Sequence, residues 1–192
     1  MFRLQLFLFL ILLIPNLHSD SFSIMNLNAQ NLFDTLDDEG KDDKAFLPLK
    51  SKESFEHINS CHNINVKAWR MECLYLDWNE ETKEAKLANL VKNIISYQGN
   101  GADIIALQEI ENENILEQLF SLLKPYGYID FVLLEGTDKR GIDTAFISRF
   151  QMNNPQLHYV NFSPEFEKKD TRPILEVSIL FNEQNIRIYN VH

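Results

Sequence analysis

Cysteine is scarce in this chain. Cys61 and Cys73 are the two present, and no CxxC pair occurs, so the cysteines carry no metal signature. Their reading stays open between a disulfide and two buried thiols. Positive charge is also in deficit. Lys and Arg number 18 against 28 Asp and Glu, giving a formal charge of −10. That balance argues against a general nucleic-acid binder, because phosphate backbones are held by clustered Lys and Arg. It leaves room for an enzyme that engages a phosphodiester through a bound cation, since the metal reverses the local field. The mature part has no basic patch, no series of stacking aromatics and no lipid-binding helix. No internal repeat is visible, and no long apolar run follows the first twenty positions.

What is there begins with those positions. Arg3 precedes an apolar run, Leu4 to Ile14 with Gln5 inside it, which Pro15 breaks. At roughly eleven residues the run is short of the about twenty that a membrane span needs. Residues 1–19 are therefore expected to be a secretory signal peptide, and the product secreted or periplasmic. An uncleaved anchor is the alternative, because Leu17 and Ser19 match the small-x-small cleavage pattern in part. No Cys follows the run, which argues against a lipid-anchored form. The 192 residues, 45% hydrophobic and 24% charged, suit one globular domain with a real core.

The mature chain is expected to open with a strand from Phe22 to Leu27. A polar stretch from Asp34 to about Ser60 reads as a long loop with at most a short helix. It carries Asp37, Asp38, Glu39, Asp42 and Asp43. Calcium binding is one reading of that cluster, but the order is not DxDxDG, and a solvated charge run is the preferred one. Leu87, Leu90, Val91, Ile94 and Ile95 predict a helix over 81–98, ended by Asn100 and Gly101. Asp103 to Leu107 suits a buried strand. A second helix, capped by Asn112 or Asn114, runs to Lys124 and is stopped by Pro125 and Gly127. Strands follow at 129–134, 143–148 and 157–162, then a hairpin of 175–181 with 186–191. The pattern is α/β, a mixed sheet packed by helices on one side.

Four segments can carry chemistry. "DIIALQEIEN" (103–112) delivers Gln108 and Glu109 to the C-terminal end of a strand, where α/β proteins place their sites. A carboxylate there can bind Mg2+ or Mn2+, or simply cap the next helix. "IMNLNAQNLFD" (24–34) ends in Asn28, Gln30 and Asn31, amides that orient a phosphoryl oxygen or form a turn. "EGTDKRGIDTAFISR" (135–149) offers Arg140 as a phosphate fork and Asp143 to orient a basic partner, or an ordinary polar turn. "TRPILEV" and "IYNVH" bring Arg172 and His192, the latter at a strand end and able to bond a phosphoryl oxygen.

Together these segments resemble the endonuclease/exonuclease/phosphatase superfamily, which includes DNase I-like nucleases, neutral sphingomyelinases and inositol-polyphosphate phosphatases. The "RGID" stretch looks like the bacterial secreted branch. The resemblance implies a four-layer α/β sandwich, two sheets face to face with outer helices, and Mg2+-dependent phosphoester hydrolysis. By motif it assigns Glu109 as metal ligand, and Asn28 to the metal-site water or phosphate. His192 would contact the scissile phosphate, Gln30 would have a weaker metal-linked role, and Arg140 and Asp143 would lie near the substrate. The substrate implied is a phosphoester: nucleic acid, phospholipid head group or small phosphodiester. The family's second half also brings an Asp-x-Asn pair and a final Asp-His pair. These have no match here, so residues 20–192 are expected to be an N-terminal portion. A catalytically inactive portion that serves in binding is the competing expectation.

Overall fold

The computed structural model describes residues 21–161, 163, 165 and 171–192. The expected signal peptide lies outside the described residues. Among the described residues, seven strands and four α-helices follow in chain order: β1 (Ile24–Leu32), α1 (Phe55–His62), α2 (Lys67–Tyr75), α3 (Glu80–Ser96), β2 (Ile104–Ile110), α4 (Glu113–Leu123), β3 (Asp130–Leu133), β4 (Asp143–Ser148), β5 (Met152–His158), β6 (Ile174–Phe181) and β7 (Gln184–Asn190).

The strands form two sheets, ordered β1-β2-β4-β3 and β5-β6-β7. β1 and β2 are parallel, and the other pairs antiparallel. The period of two decides what each face meets. On β2, Ile105 and Leu107 join Leu87, Leu90 and Ile94 of α3 and Ile115, Leu116 and Leu119 of α4 in one core. Ile104 and Ala106 face the other way, into a second core with Leu175, Val177, Ile179 and Ile188 of the three-stranded sheet. β2 is thus buried on both faces, which explains its unbroken apolar run. Mixed α/β architecture with two apposed sheets and helices outside is what the resemblance implied.

Helix starts follow their caps. Ser54, Asn79 and Asn112 each accept a backbone N–H three residues on. The polar stretch after β1 holds more structure than a loop. α1 and α2 are joined by a Cys61–Cys73 disulfide, which resolves the open reading of the cysteines. α2 was not legible: it lacks a side-chain cap, and Cys73 is its one buried residue. The strand expected at 157–162 lies earlier, at Met152–His158, and Phe162 is outside the described residues. Among the described residues no helix is long and apolar enough to cross a membrane.

Candidate functional site

Strict alternation would point Glu109 at the helices, with Ile105 and Leu107. It does not go there. Glu109 has φ 63°, a left-handed backbone that reverses the side chain, and Ile110 takes the apolar slot instead. The ladder records this as a bulge: Gln108 pairs with Thr144, and Ile110 with Asp143. β1 does the same at the same level. Met25, Leu27 and Ala29 face the helices, Gln30 and Asn31 have φ 55° and 62°, and Leu32 resumes the core. The paired irregularities end two strands together and turn polar side chains to the other face.

There Asn28, Glu109 and His192 meet. Asn28 Nδ2 donates to Glu109 Oε1 at 3.1 Å. His192 Nε2 lies 3.3 Å from the same oxygen and 3.5 Å from Asn28 Nδ2. The Asn31 backbone N–H donates to Glu109 Oε2 at 2.9 Å. Asn28 is itself oriented, since its Oδ1 accepts the Gln30 N–H at 2.7 Å. The Glu109 and His192 side chains are 19% and 23% exposed, so both are held by protein yet open to solvent. His192 continues the inward parity of Ile186, Ile188 and Asn190 on β7. The cluster therefore joins the ends of both sheets.

An amide network, buried at Gln108 and Asn190, supports it. Gln108 Nε2 donates to Asn26 Oδ1 at 2.6 Å and Asn190 Oδ1 at 2.7 Å. Asn190 Nδ2 donates across to Leu107 O and Ala145 O. These amides tie β7 to the four-stranded sheet directly beneath Glu109 and His192. Asn26 and Asn190 were not singled out by sequence, because an amide inside an alternating strand resembles any surface position. Lys86 of α3 was missed as well. Its Nζ donates to Gln30 O, burial lowers its pKa, and the charge of Glu109 opposes that shift.

The other expected site residues sit differently. Gln30 joins through its backbone, as donor to Asn28 and acceptor from Lys86, and its side chain is exposed. Arg140 is exposed, with Nε 3.8 Å from Asp138. Asp143 is buried opposite Ile110, one step along the ladder from Glu109, and its Oδ1 accepts the Gly136 N–H. Burial pushes its pKa up to about 6. It feels the charge of Lys41, and through Gly136 it holds the 136–143 turn. Arg172 pairs with Asp138 at 2.9 Å. Arg149 lies at the opposite end of β4, pairing with Asp103 and donating to three carbonyls.

The acidic cluster is corrected in part. Asp43 is 1% exposed and Asp38 half-buried, so these two are not a solvated run. They face Glu111, 3% exposed, whose pKa burial pushes up to about 9, with Asp34, Asp38 and Asp43 adding to the rise. His57, Cys61 and Cys73 also gather, but both sulfurs are spent in the disulfide, which leaves no thiolate for a metal.

Comparison with known proteins puts this geometry in context. A family model described as endonuclease/exonuclease/phosphatase matches residues 73–192, a span that includes Glu109 and His192 and begins after Asn28. A solved structure of an endonuclease/exonuclease/phosphatase family protein from Leptotrichia buccalis C-1013-b is similar at 23% identity and a TM-score of 0.43. That similarity covers 60% of this chain and 50% of that one. No curated protein sequence matches. With well over half of its length inside the matched span, this chain belongs to the endonuclease/exonuclease/phosphatase family.

Proposed function

We propose that this chain provides the cation-binding and phosphate-holding part of a phosphoester hydrolase. The observation that carries it is the convergence of Asn28, Glu109 and His192, from three strands and both sheets, on one solvent-open point. The donor set suits a hard divalent cation. Glu109 offers carboxylate oxygens, its side chain is partly open to water, and each oxygen already accepts a hydrogen bond that fixes its direction. Glu109 would hold Mg2+ or Mn2+, with Asn28 beside it, and such an ion supplies polarisation of a phosphoryl oxygen and charge stabilisation. The Asn28 amide and the His192 ring donate to phosphoryl oxygens and orient the ester. Gln30 fixes the Asn28 rotamer through its backbone. The reaction is displacement at phosphorus by water with P–O cleavage, and none of the three is assigned as the base for that water.

The substrate proposed is a phosphodiester, with nucleic acid, a phospholipid head group or a small diester as its forms. Export is proposed with it, supported by the apolar N-terminal run and the disulfide. The test uses purified chain and bis(p-nitrophenyl) phosphate with and without Mg2+. Mg2+-dependent turnover that falls at least about 100-fold in Glu109→Gln is expected. No Mg2+ binding by the chain, or full turnover in Glu109→Gln, overturns the reading. Mg2+ binding without turnover would favour a binding role instead.

A further inference from the structure

The acidic loop after β1 folds back on β2. Asp38, Asp43 and Glu111 each bring a carboxylate oxygen within 4.8 Å of the other two. Asp43 is 1% exposed and Glu111 3% exposed. Asp43 Oδ2 accepts the Asp38 N–H, but Asp43 Oδ1 is buried with no hydrogen-bond donor. A buried carboxylate oxygen without a donor is costly. Asp34, also buried, stands alongside: Asn112 Nδ2 bridges its Oδ2 to Asp38 Oδ2, and its own N–H donates to Glu111 Oε2.

Among the described residues, no Lys or Arg forms an ion pair with Asp34, Asp38, Asp43 or Glu111. Lys41, close in sequence, pairs with Glu135. Four carboxylates, three of them buried, thus gather with no ion-paired Lys or Arg, and Lys41 acts on Asp38 at longer range. Two states resolve this: the carboxyls keep protons, or a cation occupies the corner. The buried Asp43 Oδ1, which accepts no hydrogen bond, favours the cation, and a proton shared with Asp37 is the competing state that the experiment separates. Three carboxylates in one corner suit calcium, which takes about six to eight oxygens in a flexible geometry, better than magnesium, which keeps several waters and takes one or two carboxylates.

We infer that Asp38, Asp43 and Glu111 form a structural calcium site, separate from Glu109, that fastens the 34–43 loop to the end of β2. The inference does not depend on the proposed hydrolase reading. The site is all-oxygen and carboxylate-rich, the chemistry that hard cations take. Its position matters because Glu111 lies two residues after Glu109, just past the end of β2, and Asp34 follows the β1 strand that carries Asn28 and Asn31. Calcium would stiffen both bulged strand ends.

The experiment compares melting of the whole chain in EDTA and in calcium, and follows terbium(III) luminescence sensitised by tryptophan. Wild type is expected to melt about 5–10 °C higher at roughly 100 times the calcium Kd. Glu109→Gln should keep that gain and keep terbium binding. Asp43→Asn should lose the calcium gain and bind one terbium fewer, while becoming more stable than wild type in EDTA, since one buried charge is gone. If Asp43→Asn does not fold, Asp38→Asn, at the less buried member, should weaken calcium binding at least about tenfold. No calcium-dependent gain in wild type overturns the inference, as does an undiminished gain in either Asp variant. Loss of the gain in Glu109→Gln would also overturn it, by assigning the ion to the other site. Hydrolysis is not read here, so the two proposals fail separately.

Discussion

Glu109 sits in a backbone conformation that disfavours any residue with a Cβ. Its φ of 63° costs about 1–2 kcal/mol for an L-residue. Such strain persists where the surroundings over-determine it, and it concentrates at functional positions. The comparison that tests this is Glu109→Gly against Glu109→Ala. Glycine should be the more stable by about 0.5–1 kcal/mol, after its own entropy cost, in urea denaturation. Equal stabilities would mean that the left-handed turn is absent. Asn190 is the second residue whose effect is not local. It is buried, donates to two carbonyls of the opposite sheet and accepts from Gln108. Asn190→Ala leaves those groups unpaired and should cost about 2–3 kcal/mol. Urea unfolding reads that loss, and a change below about 0.5 kcal/mol would show the network to be dispensable.

At the scale of elements, the parallel pair β1–β2 works as a unit, because both strands break alternation at the same level. The β2 bulge brings Glu109 to the face of Asn28, and the β1 bulge brings the Asn31 N–H to Glu109 Oε2. The helical pair α1–α2 depends on a different device. His57 and Cys61 of α1 and Cys73 of α2 are buried, while Phe55, Trp69 and Tyr75 are exposed. This pair buries too little apolar surface to hold itself, and the disulfide closes a loop of sequence separation 12. A loop of about that length corresponds to about 3 kcal/mol of chain-entropy stabilisation. Reduction should therefore raise hydrogen exchange in 55–75 well before it affects β2 or α4, with the difference read residue by residue. Uniform exchange on reduction would show that α1–α2 is not a separate stability unit.

At the scale of the molecule, charge burial sets the pH response. Glu111 and Asp143 have folded pKa values raised to about 9 and about 6, chiefly by burial. Raised carboxyl values mean that the folded state binds more protons than the unfolded one. Stability is then greatest below the unfolded values and falls as pH rises through the folded ones. In EDTA the melting temperature is expected to decline from about pH 5 to about pH 9. A melting temperature that rises over this range would show that these carboxyls are not penalised in the fold. The two cores, one under the helices and one between the sheets, share β2 and β4, so this loss should be cooperative.

Much of this architecture was legible from residue order alone. The apolar spacing of α3 and α4, the buried run of β2, the β6–β7 hairpin and Glu109 at a strand end all follow from local pattern, which propensity and periodicity encode directly. α2 was not legible, because a helix stapled by one disulfide needs no amphipathic stripe. The face on which Glu109 lies was not legible either: alternation points it at the helices, and the bulge that β2 forms against β4 reverses it. The fate of the acidic loop was decided last. Sequence determined that Asp38 and Asp43 carry charge, but only the return of that loop onto Glu111 buries them, since desolvation belongs to the neighbours a chain acquires in space.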